Sequence, residues 1–201
     1  PISQTAKFPD PPPIVPPTAN IPHIATHFMG RSEEVDALAR MLASPNGGLA
    51  VLVQGGPGIG KTELTKAIAR HEAVAHRFAE RRFFVPLETA TSAAAMQDAI
   101  TIAIGGDPAH GLAAGLQSLH GRDTLLLLDN LETPWEPRGQ RAATEQVLAE
   151  LAAISGIVVL ASFRGIAAVM GLRWHKHQVE PFASAIAAEL FTSIAGPEFA
   201  D

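Results

Sequence analysis

The sequence contains no cysteine, which excludes a disulfide framework and a thiolate metal site and fits an intracellular protein. No apolar run approaches the ~20 residues of a membrane span, and no secretory signal pattern is visible. No membrane span is therefore expected, and the expected location is cytoplasmic. Lys and Arg are nowhere concentrated: 15 basic residues face 20 acidic ones, for a formal charge of −5, so no nucleic-acid partner is expected. The eight histidines make no metal set. His71 and His76 have the wrong offset for one helical face, and His175 and His177, which could share a strand face, have no obvious third ligand. Without a basic groove beside them, Trp135 and Trp174 read as packing residues rather than as base-stacking platforms.

What is present begins with proline. Pro9, Pro11, Pro12, Pro13, Pro16, Pro17 and Pro22 remove backbone donors and favour extended polyproline II, so residues 1–27 read as a semi-rigid linker to an upstream effector. A ligand for an SH3-like module is the alternative. The chain starts at Pro1 without a methionine and is expected to be a piece of something longer. Residues 28–201 then form one domain; the whole chain has 47% hydrophobic and 17% charged residues, the ordinary balance for a globular protein of this size.

The domain is organised around Gly55-Gly56-Pro57-Gly58-Ile59-Gly60-Lys61-Thr62, a G-x-x-x-x-G-K-T pattern. The apolar run Leu49 to Gln54 precedes it and a helical pattern follows, so the context is strand, glycine loop, helix. Glycines let successive N–H groups turn into one concavity, a nest for phosphate oxygens, and the opening helix adds its own unpaired N–H groups. Lys61 would reach the β and γ phosphates, and the Thr62 hydroxyl would ligate Mg²⁺.

Around the loop, strands alternate with helices, which implies a three-layer α/β domain with a parallel sheet. Ser32 reads as an N-cap, with Val35, Leu38 and Leu42 on one helical face and Asn46-Gly47-Gly48 as the stop. Leu64, Ile68, Ala75 and Phe78 mark one long helix ending before Arg81. Residues 83–87 read as a short buried strand, residues 92–104 as a helix, and a second short helix runs to about Leu119. Thr124 to Asp129 is an unalternating apolar run, the mark of a strand covered on both faces. Residues 140–154 form an amphipathic helix, residues 157–161 another buried strand, residues 177–180 a last strand and residues 183–194 a last helix.

In open α/β sheets ligands collect at the carboxyl ends of strands. Asp129 ends its strand there and could hold Mg²⁺ opposite Thr62; the alternative is an Asp capping the next turn. Hydrolysis needs a group that orients a water, and Glu132 is the nearest free carboxylate in sequence, with a solvated loop glutamate as the alternative. Arg164 ends the fourth strand, where it could read a γ-phosphate or form a surface salt bridge.

With these residues in view, the chain resembles the nucleotide-binding domain of STAND-class signalling NTPases, in the NB-ARC/NACHT group of NOD-like receptors, and looks most like fungal and bacterial members. Phe-Met-Gly-Arg-Ser-Glu-Glu (28–34) resembles the family's N-terminal motif against adenine, GGPGIGKT its phosphate loop, and LLLLDNLE its Mg²⁺-binding strand. Leu160 to Arg164 resembles its sensor strand, and Val179-Glu180-Pro181-Phe182 with Leu190-Phe191 the segment before its helical subdomain. The resemblance implies a five-stranded P-loop NTPase sheet of order 5-1-4-3-2. It implies an adenine site bounded by Phe28, Met29 and Arg31. Phosphates would be held by Gly56, Pro57, Gly58, Ile59, Gly60, Lys61, Thr62 and Glu63, mostly through backbone N–H groups, with Mg²⁺ on Thr62 and Asp129. Lys61, Asp129, Glu132 and Arg164 would carry what catalysis there is. Asn130 stands where many members have a second Asp, which implies slow hydrolysis. The implied function is a switch in an immunity-like or cell-death response, held by ADP and self-associating with ATP. The alternatives are a fast AAA-like or motor ATPase and a STAND-type transcriptional regulator. The family's helical and winged-helix subdomains lie beyond the matching segment.

Overall fold

The structure is a computed structural model that describes residues 19–44 and 50–195. The prolines before Ala19 and the expected helix stop at Asn46-Gly47-Gly48 lie outside the described residues. Five strands form one parallel sheet: β1 (Ala50–Gly55), β2 (Arg82–Pro86), β3 (Thr124–Asp129), β4 (Ile157–Arg164) and β5 (Trp174–Gln178). Their order is β2-β3-β4-β1-β5, which from the other edge is the expected 5-1-4-3-2. Among the described residues the α-helices are α1 (Ser32–Ala43), α2 (Lys61–Arg70), α3 (Glu72–Phe78), α4 (Ala93–Ala103), α5 (Gly111–Gln117), α6 (Glu132–Trp135), α7 (Arg141–Ala152) and α8 (Ser184–Ala195).

The central strands lack polar alternation because neither face meets water. All six residues of β1 and of β3 are buried, as are all of β4 but Arg164. Successive side chains of a strand leave on opposite faces, so the leucine run of β3 is divided between two cores. Leu126 and Leu128 join Phe83, Val85 and Val159 on the side of α4 and α7. Leu125 and Leu127 join Val51, Val53 and Leu160 on the side of α1 and α2. Each such leucine contributes about 1.5–3 kcal/mol by leaving water, and this two-sided burial is what holds the sheet's carboxyl edge as a rigid platform.

Several elements differ from the sequence reading. The helix expected to run unbroken to Arg81 is interrupted at His71, which takes φ −57°, ψ 142° and whose Nδ1 accepts the Ala73 N–H. The interruption shifts the helical phase by one residue, so Val74 rather than Ala75 is buried beside Phe78. Ser32 is the first residue of α1 and not its cap, since Arg31 precedes the helix without a side-chain cap bond. β4 passes the end of its apolar run at residue 161 to finish at Arg164, the residue expected to end it, and β5 begins at Trp174, three residues before the expected start. The last of the chain assigned to the linker, residues 19–27, already lies on the domain. Asn20 accepts the Phe84 N–H and donates to its carbonyl along the edge of β2, Arg70 donates to the Ile21 carbonyl, and Ile21 joins the core. Trp135 packs edge-on to Phe163 with ring centroids 5.3 Å apart, as its packing role requires.

Candidate functional site

β1 delivers the chain to the sheet's carboxyl edge, and the loop turns there on two left-handed glycines, Gly58 (φ +70°) and Gly60 (φ +92°). A side chain at either would be strained by that backbone, although nothing lies within 4 Å of where its Cβ would stand. Glycine is therefore required by conformation, and the concavity in front of the loop stays open. α2 starts at Lys61 with no side chain capping it, which leaves its first-turn N–H groups facing that concavity.

Lys61 folds back over the loop: Nζ donates to the carbonyls of Gly56 (2.7 Å) and Gly55 (3.2 Å). Burial holds its ammonium below the ordinary lysine pKa; Glu132 and Asp129 pull upward, and Arg164 pushes further down. Thr62 Oγ1 lies 2.9 and 3.1 Å from the two carboxylate oxygens of Asp129. The strand register makes this contact, because β3 and β4 pair Leu128 with Ala161 and so set Asp129 beside Ser162, itself aligned with Val53 of β1. Ser162 Oγ donates to Asp129 Oδ1 (2.6 Å) and accepts the Asn130 N–H (2.9 Å). Asn130 takes a left-handed φ of +62°, a conformation asparagine tolerates better than most residues.

Glu132 opens α6 and is buried, not solvated. Its Oε2 accepts the Arg164 N–H at 3.0 Å, and Oε1 lies 3.9 Å from Arg164 Nε. The Arg164 side chain is 61% exposed, so that 3.9 Å ion pair is solvent-screened and weak. Glu88, Asn130, Glu132, Thr133, Glu136 and Arg164 face a cleft of 580 Å³. On the other side of the loop, Phe28, Met29, Arg31, Gly58, Ile59, Gly60 and Glu63 line an apolar cavity of 310 Å³, completed by Phe182, Leu190 and Ile194. Gly56 and Pro57 are exposed on the loop's outer turn and do not line it. Two residues assigned to nucleotide are already engaged by protein. Glu63 accepts from Ala25 N–H (2.7 Å) and Lys66 (2.8 Å); burial alone would raise its pKa, and these bonds outweigh it and hold it low. Arg31 is buried, with its guanidinium bonded to Glu34 and to two backbone carbonyls.

Reading by sequence missed Ser162 and Gln54, whose amide donates to the Ala167 carbonyl. The available signal was a polar residue inside an apolar strand, but only the register shows what it faces. The histidine pairs form no site: among the described residues no group of three His, Asp or Glu could hold a metal. The adjacent oxygens of Thr62 and Asp129 nevertheless suit Mg²⁺, which takes one or two protein oxygens and fills the rest of its shell with phosphate and water.

A family model described as an AAA ATPase domain matches residues 27–160. No curated protein matches the sequence. Among solved structures, ORC1 of Aeropyrum pernix in complex with DNA is similar at 17% identity and TM-score 0.66, over 84% of this chain and 50% of that one. Drosophila ORC bound to DNA is similar at 16% identity and TM-score 0.61, over 83% and 47%. Cdc6p from Pyrobaculum aerophilum is similar at 13% identity and TM-score 0.59, over 86% and 51%. The chain thus spans about half the length of each, and the likeness is one of fold. The family match is to AAA ATPases at large and does not single out the NB-ARC/NACHT group. The expectation of no nucleic-acid partner is corrected here, because two proteins of this fold are bound to DNA. A net charge of −5 averages over the whole surface and does not describe a local one.

Proposed function

Because this chain belongs to the AAA ATPase domain family, we propose that it is a nucleotide-dependent switch that binds ADP and ATP with Mg²⁺ and hydrolyses slowly. ADP holds the resting state; exchange for ATP drives self-association and activates an attached effector, in an immunity-like or cell-death response in the cytoplasm. Among the described residues no helix is long and apolar enough to cross a membrane. The N–H groups of residues 58–62 and the Lys61 ammonium bind phosphate oxygens. Thr62 and Asp129 hold the metal, and the cavity beside Phe28 and Met29 takes the base. Bound ATP supplies the γ-phosphate by which the two states differ.

One observation supports a slow switch over a rapid catalyst. The residue after Asp129 is Asn130, which cannot accept a proton, and the nearest carboxylate, Glu132, is engaged by the Arg164 N–H. Arg164 borders the loop, since Gly165 N–H donates to the Gly55 carbonyl at 3.1 Å, and its exposed guanidinium is the group this reading assigns to sensing charge there. Arg164→Ala should weaken ATP binding by roughly 10-fold, the worth of one charge-assisted contact, while ADP affinity changes less than about 2-fold. Equal losses for both nucleotides, measured by calorimetry, would remove its sensor role.

A second reading, a turning-over AAA ATPase, is favoured by the family match and by a buried glutamate in the adjoining cleft. Steady-state turnover of about 1 s⁻¹ or more by the isolated chain, within the usual range for enzymes, would establish it. Slower turnover with ADP retained through purification supports the switch. Since two proteins of like fold are seen with DNA, the assay includes duplex DNA, and stimulation by it would assign this chain a DNA-linked role.

A further inference from the structure

α8 is weakly seated: none of its residues is buried, and Phe191 and Ile194 are 57% and 64% exposed. Its approach is fixed by two consecutive residues on the opposite strand of chain. Gly30 takes φ +72°, and a Cβ there would stand 2.6 Å from Ile186 Cγ2 and 3.2 Å from the Phe182 ring. Arg31 follows and is 5% exposed. Its Nη1 donates to Glu34 (3.0 Å), and its Nη2 donates both to the Ile59 carbonyl of the phosphate loop (3.2 Å) and to the Glu180 carbonyl ahead of α8 (3.1 Å). The guanidinium also lies 4.2 Å over the centre of the Phe182 ring.

One nitrogen therefore bonds the phosphate loop and the root of α8 together. We propose that Arg31 is a coupling residue that transmits the conformation of the loop at Ile59 to α8, so that loading the loop with nucleotide sets how firmly α8 is seated. The physical basis is the rigidity of the group. A guanidinium is a planar fork whose donors keep fixed relative directions, so a shift of the Ile59 carbonyl reorients the bond to Glu180 and the stack on Phe182. Arg31 cannot simply let go, because that would strand a buried cation beside a single carboxylate. Ile59 lies between the two left-handed glycines, so its carbonyl belongs to the turn that shapes the concavity.

The inference rests on the nucleotide-binding reading, so calorimetry for ADP is run on every sample beside the structural readout. The readout is amide hydrogen exchange of α8 in the 201-residue chain, with and without saturating ADP. ADP should slow exchange in α8 by about 10-fold in the wild type, a coupling of ordinary allosteric size. In Arg31→Met, at ADP concentrations that saturate it, the slowing should fall below about 2-fold. A general loss of stability would raise exchange with and without ADP alike and leave that ratio unmoved. Phe182→Leu keeps the Arg31 hydrogen bonds and removes the stacked ring, and should give an intermediate ratio. A wild-type ratio in Arg31→Met, or no response of α8 in a wild type that binds ADP, overturns the coupling. Should Arg31→Met fail to fold or to load, the wild type decides with pyrophosphate, which fills the loop but not the cavity lined by Phe182, Leu190 and Ile194: slower exchange in α8 supports the coupling and unchanged exchange overturns it. Failure of the wild type to bind ADP would show in the calorimetry alone and would sink the nucleotide reading together with the coupling.

Discussion

Lys61→Ala is expected to abolish measurable binding of ADP and ATP by calorimetry, a loss of roughly 100-fold or more. The ammonium is buried, and among the described residues it makes no ion pair; its partners are the carbonyls of Gly55 and Gly56. Its hydrogen bonds go to neutral acceptors, with Glu132 and Asp129 acting on it only at longer range, so an anion brought into the loop gains a direct charge-assisted contact. A hydrogen bond to a charged group is worth about 1.5–3 kcal/mol, and a polyphosphate takes more than one from this side chain. The lowered pKa adds a pH signature. Burial depresses it first, so the loop loses its positive charge at a lower pH than a free lysine would. Nucleotide affinity in the wild type should accordingly fall on the alkaline side, at a lower pH than an ordinary lysine would give. Unchanged affinity in the variant would take the loop out of the mechanism.

Asp129→Asn is expected to separate metal from nucleotide. The amide keeps an oxygen for the Ser162 hydroxyl and fits the same buried space, so folding should survive; removal of the whole side chain would leave two hydroxyls, Thr62 and Ser162, without their acceptor. What is lost is the negative charge that a hard divalent cation needs. Titrating Mg²⁺ at fixed ATP should show the metal's contribution to affinity reduced by roughly 30-fold or more, about 2 kcal/mol, with metal-free ATP binding nearly unchanged. Hydrolysis, measured as phosphate release, should fall below detection. Equal weakening with and without Mg²⁺ would mean that Asp129 supports the loop structurally and holds no metal.

The strands and the phosphate loop were legible because their determinants are local. β3 could be read residue for residue from Thr124 to Asp129, since a strand covered on both faces has no polar alternation to blur its ends. The glycine loop was legible for a similar reason: Gly58 and Gly60 are the residues a left-handed backbone demands, whatever lies around them. The end of β4 was less so. Ser162 and Arg164 are polar or charged, which reads as the strand's finish, yet Ser162 is fully buried because Asp129 lies beside it. The His71 break had no local mark either, as histidine is an ordinary helix residue; the break is fixed by a bond to Asp36 of α1 and by the Ala73 N–H. The motif residues Phe28, Met29 and Arg31 all line the apolar cavity, but only the tertiary structure shows that the Arg31 guanidinium also bonds Glu34, Ile59 and Glu180.

By itself the sequence determined most of the strands and helices, which faces are covered, and where one glycine loop turns through left-handed backbone. Those follow from the periodicity of apolar side chains and from the conformations glycine alone adopts, both properties of neighbouring residues. Tertiary structure decided the rest: that Thr62, Asp129 and Ser162 meet, that Glu132 accepts the Arg164 N–H, and that one guanidinium joins the loop to α8. These depend on how segments 32 to 149 residues apart in the chain are brought together, most of them by the sheet. Register is settled by packing across the whole sheet, and no window of sequence contains it.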